Sequence, residues 1–261
     1  MDAISLTAPT SWSHLSAQQL RYVSWLMTQK NISREELLTR CFVRFTKIKI
    51  KHEKNGYYLC ICPKGKYFTL QGSQVLSLIR KLEYLVKRVE EITPLPRLAN
   101  LTHVDPRLYN TPFVQYLACE NYYQAFIYTR DIWQLRYLAA CFYTSGKEFN
   151  DSETIRKAKR FKQTPYHVLY TVFLWFYGLK GLFAERFPNF FRKVDYIIEE
   201  EPSAPNMRLQ IQNIVRALTG GDVTKSAEIY RVETWEALAE LDAKAREYAE
   251  MEARLKSKKT K

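Results

Sequence analysis

TPYHVLYTVFLWFYGLKGLFAERFP, residues 164–188, decides how this chain is read. Thr164 is an N-cap type, Pro165 suits a first helical position, and Phe187-Pro188 closes the segment. Between them Val168, Leu169, Val172, Phe173, Trp175, Phe176, Leu179, Leu182 and Phe183 cover nearly the whole circumference. A helix apolar all round is central in its domain. Its uncharged run, Tyr166 to Leu179, falls short of the roughly 20 residues a membrane span needs. A buried core helix and no membrane contact are therefore expected.

Toward the C-terminus, helices are expected over 206–218 and 224–256, separated by Gly220-Gly221-Asp222 as a helix stop followed by an N-cap. In the terminal helix Trp235, Leu238, Leu241, Ala245, Tyr248, Met251 and Leu255 form a narrow stripe on a charged rod. Their spacing approximates a heptad seam, and Trp235, Leu238, Leu241 and Tyr248 are the candidate partner-binding residues. Lys256 to Lys261 reads as a frayed tail. Glu199-Glu200-Glu201-Pro202 reads as an acidic linker.

Toward the N-terminus, helices over 112–128 and 130–144 follow a stretch holding Pro94, Pro96 and Pro106 with no clear period, expected to be a connector. Before it, Ser16-Ala17-Gln18-Gln19 and Ser33-Arg34-Glu35-Glu36 are two capping boxes that open a helical hairpin over 17–43. The period then changes to two. Ile48 and Ile50 alternate with Lys47, Lys49 and Lys51, which marks a half-buried strand. Asn55-Gly56 is a tight hairpin turn, Tyr57–Cys62 a second strand, Pro63–Lys66 a turn and Tyr67–Leu70 a third strand. Ser73 should cap a helix reaching Glu91, burying Val75, Leu78, Ile79, Leu82, Leu85 and Val86 over that meander.

The expected fold is mainly α (α+β): a helical body, a small three-stranded antiparallel β-meander near the N-terminus and a long C-terminal amphipathic helix. The expected divisions are 1–92 (hairpin, meander, covering helix), 93–111 (connector), 112–219 (aromatic helical body) and 220–261 (terminal helix and basic tail). At 261 residues, 46% hydrophobic and 14% aromatic, the chain can bury a substantial core. Its N-terminus has no basic start followed by an apolar run, so no secretory signal is expected. Cys41, Cys60, Cys62, Cys119 and Cys141 are odd in number and sit in apolar segments, which suits reduced thiols in a cytoplasm. Cys60-Ile61-Cys62 lacks zinc-knuckle spacing, and no metal or cofactor is expected.

The net charge is +13, unevenly distributed. Arg40 to Lys66 holds eight Lys or Arg against Glu53 alone, Arg156 to Lys162 holds five without an acid, and Glu228 to Arg254 holds eight acids against four bases. Arg44, Lys47, Lys49, Lys51, Lys54, Lys64 and Lys66 lie among Tyr57, Tyr58, Tyr67 and Phe68. Cations neutralise phosphates while rings stack on bases, so the meander is a candidate nucleic-acid surface. The competing reading is a solvated face with its aromatics turned inward and its lysines guarding a sheet edge. The four histidines, His14, His52, His103 and His167, belong to no catalytic signature, and no glycine loop cradles a phosphate. No catalytic residues are assigned, and the chain is read as a non-enzymatic protein.

Gln19-Leu-Arg-Tyr-Val23 with Glu36-Leu-Leu-Thr-Arg-Cys41, Cys119-Glu-Asn-Tyr-Tyr-Gln124, Phe173-Leu-Trp-Phe-Tyr-Gly-Leu-Lys180 with Phe187-Pro-Asn-Phe-Phe191, and Gly220-Gly-Asp-Val-Thr-Lys225 are spread along most of the chain. They resemble uncharacterised proteins of prophage and tailed-phage gene clusters of gut Bacteroidetes. The last stretch is also similar to the C-termini of small tail-associated phage proteins. The resemblance implies a virion component or assembly factor, in host cytoplasm or virion. Such a protein would contact phage structural proteins or itself through the terminal helix, with nucleic-acid binding as the alternative.

Overall fold

The structure is a computed structural model, and it describes residues 6–146, 149–191 and 207–259. The acidic stretch 199–202 lies outside the described residues. The protein is mainly α-helical with a small β component. It divides into two compact units, the first running to Pro94 and taking in Pro165–Gly178, the second comprising Leu95–Thr164 and the chain from Leu179 onward.

In the first unit, α1 (Ala17–Met27) opens on the expected capping box, with Ser16 Oγ accepting from Gln19 N at 3.3 Å and Gln19 Oε1 accepting from Ser16 N at 2.8 Å. α2 (Arg34–Thr46) outruns its expected end and stops at Lys47, whose φ of 55° is left-handed. Its capping box is half formed: Ser33 Oγ accepts from Glu36 N, but the Glu36 carboxylate turns to Arg40 at 2.6 Å. The meander follows as β1 (Lys49–Lys54), β2 (Tyr57–Ile61) and β3 (Tyr67–Gln71), antiparallel in the order β1-β2-β3. Asn55 and Gly56 take φ of 53° and 75°, as a primed hairpin turn requires.

The helix expected to reach Glu91 is much shorter. α3 (Gly72–Arg80) starts from Gln71, whose amide donates to Gln74 Oε1 at 2.9 Å, and it buries none of its residues fully. Leu82 and Leu85, expected on its face, are buried by a separate 3-10 turn, Glu83–Val86. Beside that turn Trp12 is fully buried and donates Nε1 to Tyr84 O at 3.1 Å. The first part of α7 (Tyr166–Arg186) completes this unit, its His167 carbonyl accepting from Ser24 Oγ at 2.5 Å. A Cβ on Gly178 would fall on the Glu90 carbonyl, so glycine is needed where the helix passes the chain there. By length and composition alone α7 could cross a bilayer, and 171–176 is buried without a break.

In the second unit the stretch expected to be a connector forms β4 (Arg97–Leu98) and β5 (Leu101–His103). These pair antiparallel with each other and with β6 (Tyr143–Thr144) in a second sheet, order β4-β5-β6. β6 takes the last residues expected of a helix over 130–144, so α5 is Ile132–Phe142. It is preceded by α4 (Phe113–Thr129) and followed by an unanticipated α6 (Asp151–Ala158), capped by Asn150 Oδ1 on Ser152 N at 3.0 Å.

α8 (Met207–Thr219) ends at Gly220 and Gly221, both left-handed, and Asp222 Oδ1 accepts from Thr224 N as the expected cap. The single helix expected over 224–256 is two, α9 (Ser226–Arg231) and α10 (Thr234–Lys259). Tertiary bonds break it: Phe113 N donates to Val232 O at 2.8 Å, and Thr234 gives both its amide and hydroxyl to Thr111 O. Glu233 then caps α10 by accepting from Trp235 N and Glu236 N. Residues 256–259, expected to be frayed, continue α10.

Candidate functional site

The register of the meander separates its two faces. Lys49 pairs with Ile61 and Ile61 with Tyr67; His52 pairs with Leu59 and Leu59 with Thr69; Lys54 pairs with Tyr57 and Tyr57 with Gln71. These nine residues point one way, because side chains opposite one another in an antiparallel pair share a face. The other face carries Ile50, Cys60 and Phe68, then Glu53, Tyr58 and Leu70. It is the inner one, with Cys60 buried and Tyr58, Phe68 and Leu70 half-buried.

The outer face leaves Tyr57 50% and Tyr67 65% exposed, with Leu59 exposed between them. Tyr67 stands opposite Ile61, four residues along β2 from Tyr57, so the two rings are spaced roughly 14 Å along the strand. Lys49 and Lys54 flank them, and His52 lies on the same face. Glu53, the sole acid among these basic residues, accepts from Gly56 N at 3.1 Å and stabilises the hairpin turn. Among the described residues Lys47, Lys49, Lys51, Lys54 and Lys64 enter no ion pair, and of these Lys49 and Lys54 share the face of the exposed rings.

The seven candidate cations do not act as one patch. Lys49 and Lys54 stand on the aromatic face, Lys51 falls at the register shift between Ile50 and His52, and Lys64 and Lys66 belong to the β2–β3 turn. Lys47 is the left-handed cap of α2, and Arg44 lies on α2 with its guanidinium 5.4 Å from the Tyr22 ring. β1 is exposed along its whole length, which corrects the half-buried strand: Ile48 is buried ahead of it and Ile50 is exposed. Aromatics are split, Tyr58 and Phe68 inward, Tyr57 and Tyr67 outward. Period-two alternation could have given this split, had the register been anchored on Cys60.

The partner-binding candidates also separate. Trp235 donates Nε1 to Arg107 O at 2.7 Å, stacks on Tyr109 at 5.2 Å and meets Phe183 and Phe187 edge-on. Leu238 and Leu241 are buried, and Asp242 accepts from Asn189 N, Asn189 Nδ2 and Phe190 N. The start of α10 is therefore docked in its own unit, so Trp235, Leu238 and Leu241 are not free for a partner. From Arg246 onward α10 is solvated, and Tyr248, Met251 and Leu255 are 69%, 60% and 56% exposed.

Elsewhere the polar chemistry is structural. Glu120 binds Lys180, accepts from Gln124 Nε2 at 2.7 Å, and Lys180 Nζ lies 4.9 Å from the Tyr123 ring centroid. This pair joins residues 60 positions apart in the sequence. All five cysteines are buried free thiols, and burial pushes Cys41 up to about 12. Among the described residues no three His, Cys, Asp or Glu side chains gather as a metal ion would need. His14 bonds Thr10, His52 is exposed, and His103 and His167 are held below the ordinary histidine range chiefly by burial. No protein-family model, curated protein or solved structure matches this chain.

Proposed function

We propose that this chain is a non-enzymatic binding protein that takes single-stranded nucleic acid on the outer face of its meander. The carrying observation is the pair of outward rings, Tyr57 and Tyr67, on the same face as Lys49 and Lys54 of the neighbouring edge strand, which enter no ion pair among the described residues. Lysines alone would be explained by edge protection. Three exposed large side chains, Tyr57, Leu59 and Tyr67, cost solvation and do not serve that purpose. Rings spaced along a strand face stack on unpaired bases, while the cations track phosphates. The uncharged polar side chains on this face are His52, Thr69 and Gln71, and Gln71 donates Nε2 to the Tyr57 hydroxyl at 3.5 Å, so stacking and charge carry the affinity and little sequence preference is expected. Fluorescence anisotropy with labelled oligonucleotides tests this: single strands should bind more tightly than the duplex of the same sequence, with affinity falling steeply as salt rises. Equal affinity for both, or no binding at low salt, overturns it.

The exposed end of α10 favours a second reading, a phage-derived structural or assembly protein acting in tail formation. Tyr248, Met251 and Leu255 present an apolar stripe that stays exposed among the described residues. Removing residues 246–261 should preserve thermal unfolding and abolish capture of a co-expressed tail protein from the same gene cluster. A truncated chain that retains such capture removes this reading.

A further inference from the structure

We propose that the exposed end of α10 pairs antiparallel with the same segment of a second copy of this chain, an inference that rests on the protein-contact reading. Tyr248, Met251 and Leu255 fall within about 60° on the helix, given roughly 100° per residue. They form one narrow seam on a rod that is exposed at nearly every position from Arg246 to Ser257. Glu247 and Arg254 flank this seam on one side, and Glu252 flanks it on the other.

The charges beside the seam select the occupant and its direction. In an antiparallel pair centred on Met251, each Tyr248 meets the Leu255 of the second copy, and each Glu247 meets the Arg254 of the second copy. Symmetry makes both Glu247–Arg254 contacts attractive, while on the other flank Glu252 of each copy comes beside the other, its charge offset by its own Lys256 at 3.1 Å; charges beside a helical seam set partner choice and orientation. A parallel pair in register brings Glu247 beside Glu252 of the second copy, a like-charge contact. Lys244 and Lys256 are engaged within their own helix by Glu240 at 3.3 Å and Glu252 at 3.1 Å, whereas no ion pair holds Glu247 or Arg254 among the described residues. The two side chains that the antiparallel arrangement needs are thus available. The buried seam is short, so the dimer is a weak one, formed at micromolar or higher concentration.

Sedimentation velocity of the full chain across a concentration series should show a reversible monomer–dimer equilibrium. Glu247→Arg and Arg254→Glu should each weaken it about tenfold, since two attractive contacts become repulsive, and the double exchange should restore it. All these positions are solvated, so folding is undisturbed, and unchanged circular dichroism confirms that. A chain monomeric at every concentration overturns the self-pairing, as does a dimer that survives Met251→Lys. Tighter dimerisation by Glu247→Arg overturns the antiparallel direction. None of these results decides the assembly reading, which stands or falls separately on capture of a tail protein by chains with and without residues 246–261.

Discussion

Tyr143, on the last strand of the second sheet, leaves 1% of its surface in solvent and donates its hydroxyl to Leu95 O at 2.8 Å. Tyr67, on the last strand of the first, is mostly exposed. The two sheets have the same strand number and antiparallel order, yet they spend their aromatics differently. In the second, Tyr143 packs edge-on against Phe161 and His103 lies flat over Phe142, so rings close a core. In the first, the strands are longer and, among the described residues, the outer face keeps Tyr57, Leu59 and Tyr67 exposed. An aromatic ring on a strand is thus either core or surface according to what the rest of its unit lays over it. The largest break between the two should appear in stability. Tyr143→Ala removes a buried ring and should cost about 3–5 kcal/mol, while Tyr67→Ala should shift chemical denaturation hardly at all. Similar losses for both would erase the distinction.

A second contrast concerns histidine. His52 stands in solvent on the first sheet, whereas the His103 ring is enclosed on the second, 4.9 Å from Tyr143. Burial drives His103 down to about 4, against the upward pull of its bond to Val104 O and of Asp105. The unfolded chain protonates near 6.5, so between there and about 4 it binds more protons than the folded chain. Stability should therefore be full above pH 6.5 and fall as pH drops toward 4, by on the order of 2–3 kcal/mol from this group. Urea midpoints at pH 7 and pH 5 measure the fall, and His103→Gln should shrink it.

The two sheets also differ in how much of each could be read in advance. The meander announces itself locally, through Asn55-Gly56 and alternating residues on either side. The second sheet has strands of two or three residues, joined by pairing of Thr102 with Thr144 across the whole of α4 and α5. No local period carries such a contact. The early end of α3 has a related cause: Ile79, Leu82, Val86 continue a helical stripe, but Leu82 and Leu85 are buried better by a tighter turn, and packing overrides spacing. α10 was legible as a stripe along its whole length. Which half of the stripe is consumed by Tyr109, Phe183 and Phe187 depends on residues distant in sequence, so only the structure separates the docked start from the free end.

On the exposed sheet the expected losses are in binding. Tyr57→Ala and Tyr67→Ala should each weaken single-strand affinity by about 1–3 kcal/mol, the worth of one stacked base, with no change in salt dependence. Tyr143→Phe, which keeps the enclosed ring and deletes only its hydroxyl, should leave affinity unchanged. A Tyr143→Phe chain that binds as poorly as Tyr67→Ala would mean that binding reports folding and not the face.

The smallest effect separates ring from charge on that same face. Lys49 and Lys54 flank the tyrosines and enter no ion pair among the described residues, so each should release a counterion when it meets a phosphate. For single strands each contact contributes about 0.7 to the slope of log affinity against log salt. Lys49→Gln and Lys54→Gln should therefore each flatten that slope by about 0.7 while weakening binding only modestly at moderate salt. Arg44→Gln, on α2 beside Tyr22 and away from the strand register, should leave the slope as it was. A slope that responds equally to all three substitutions would mean diffuse attraction by net charge. A slope that responds only to the two strand lysines ties the phosphates to the row of residues that also holds Tyr57 and Tyr67.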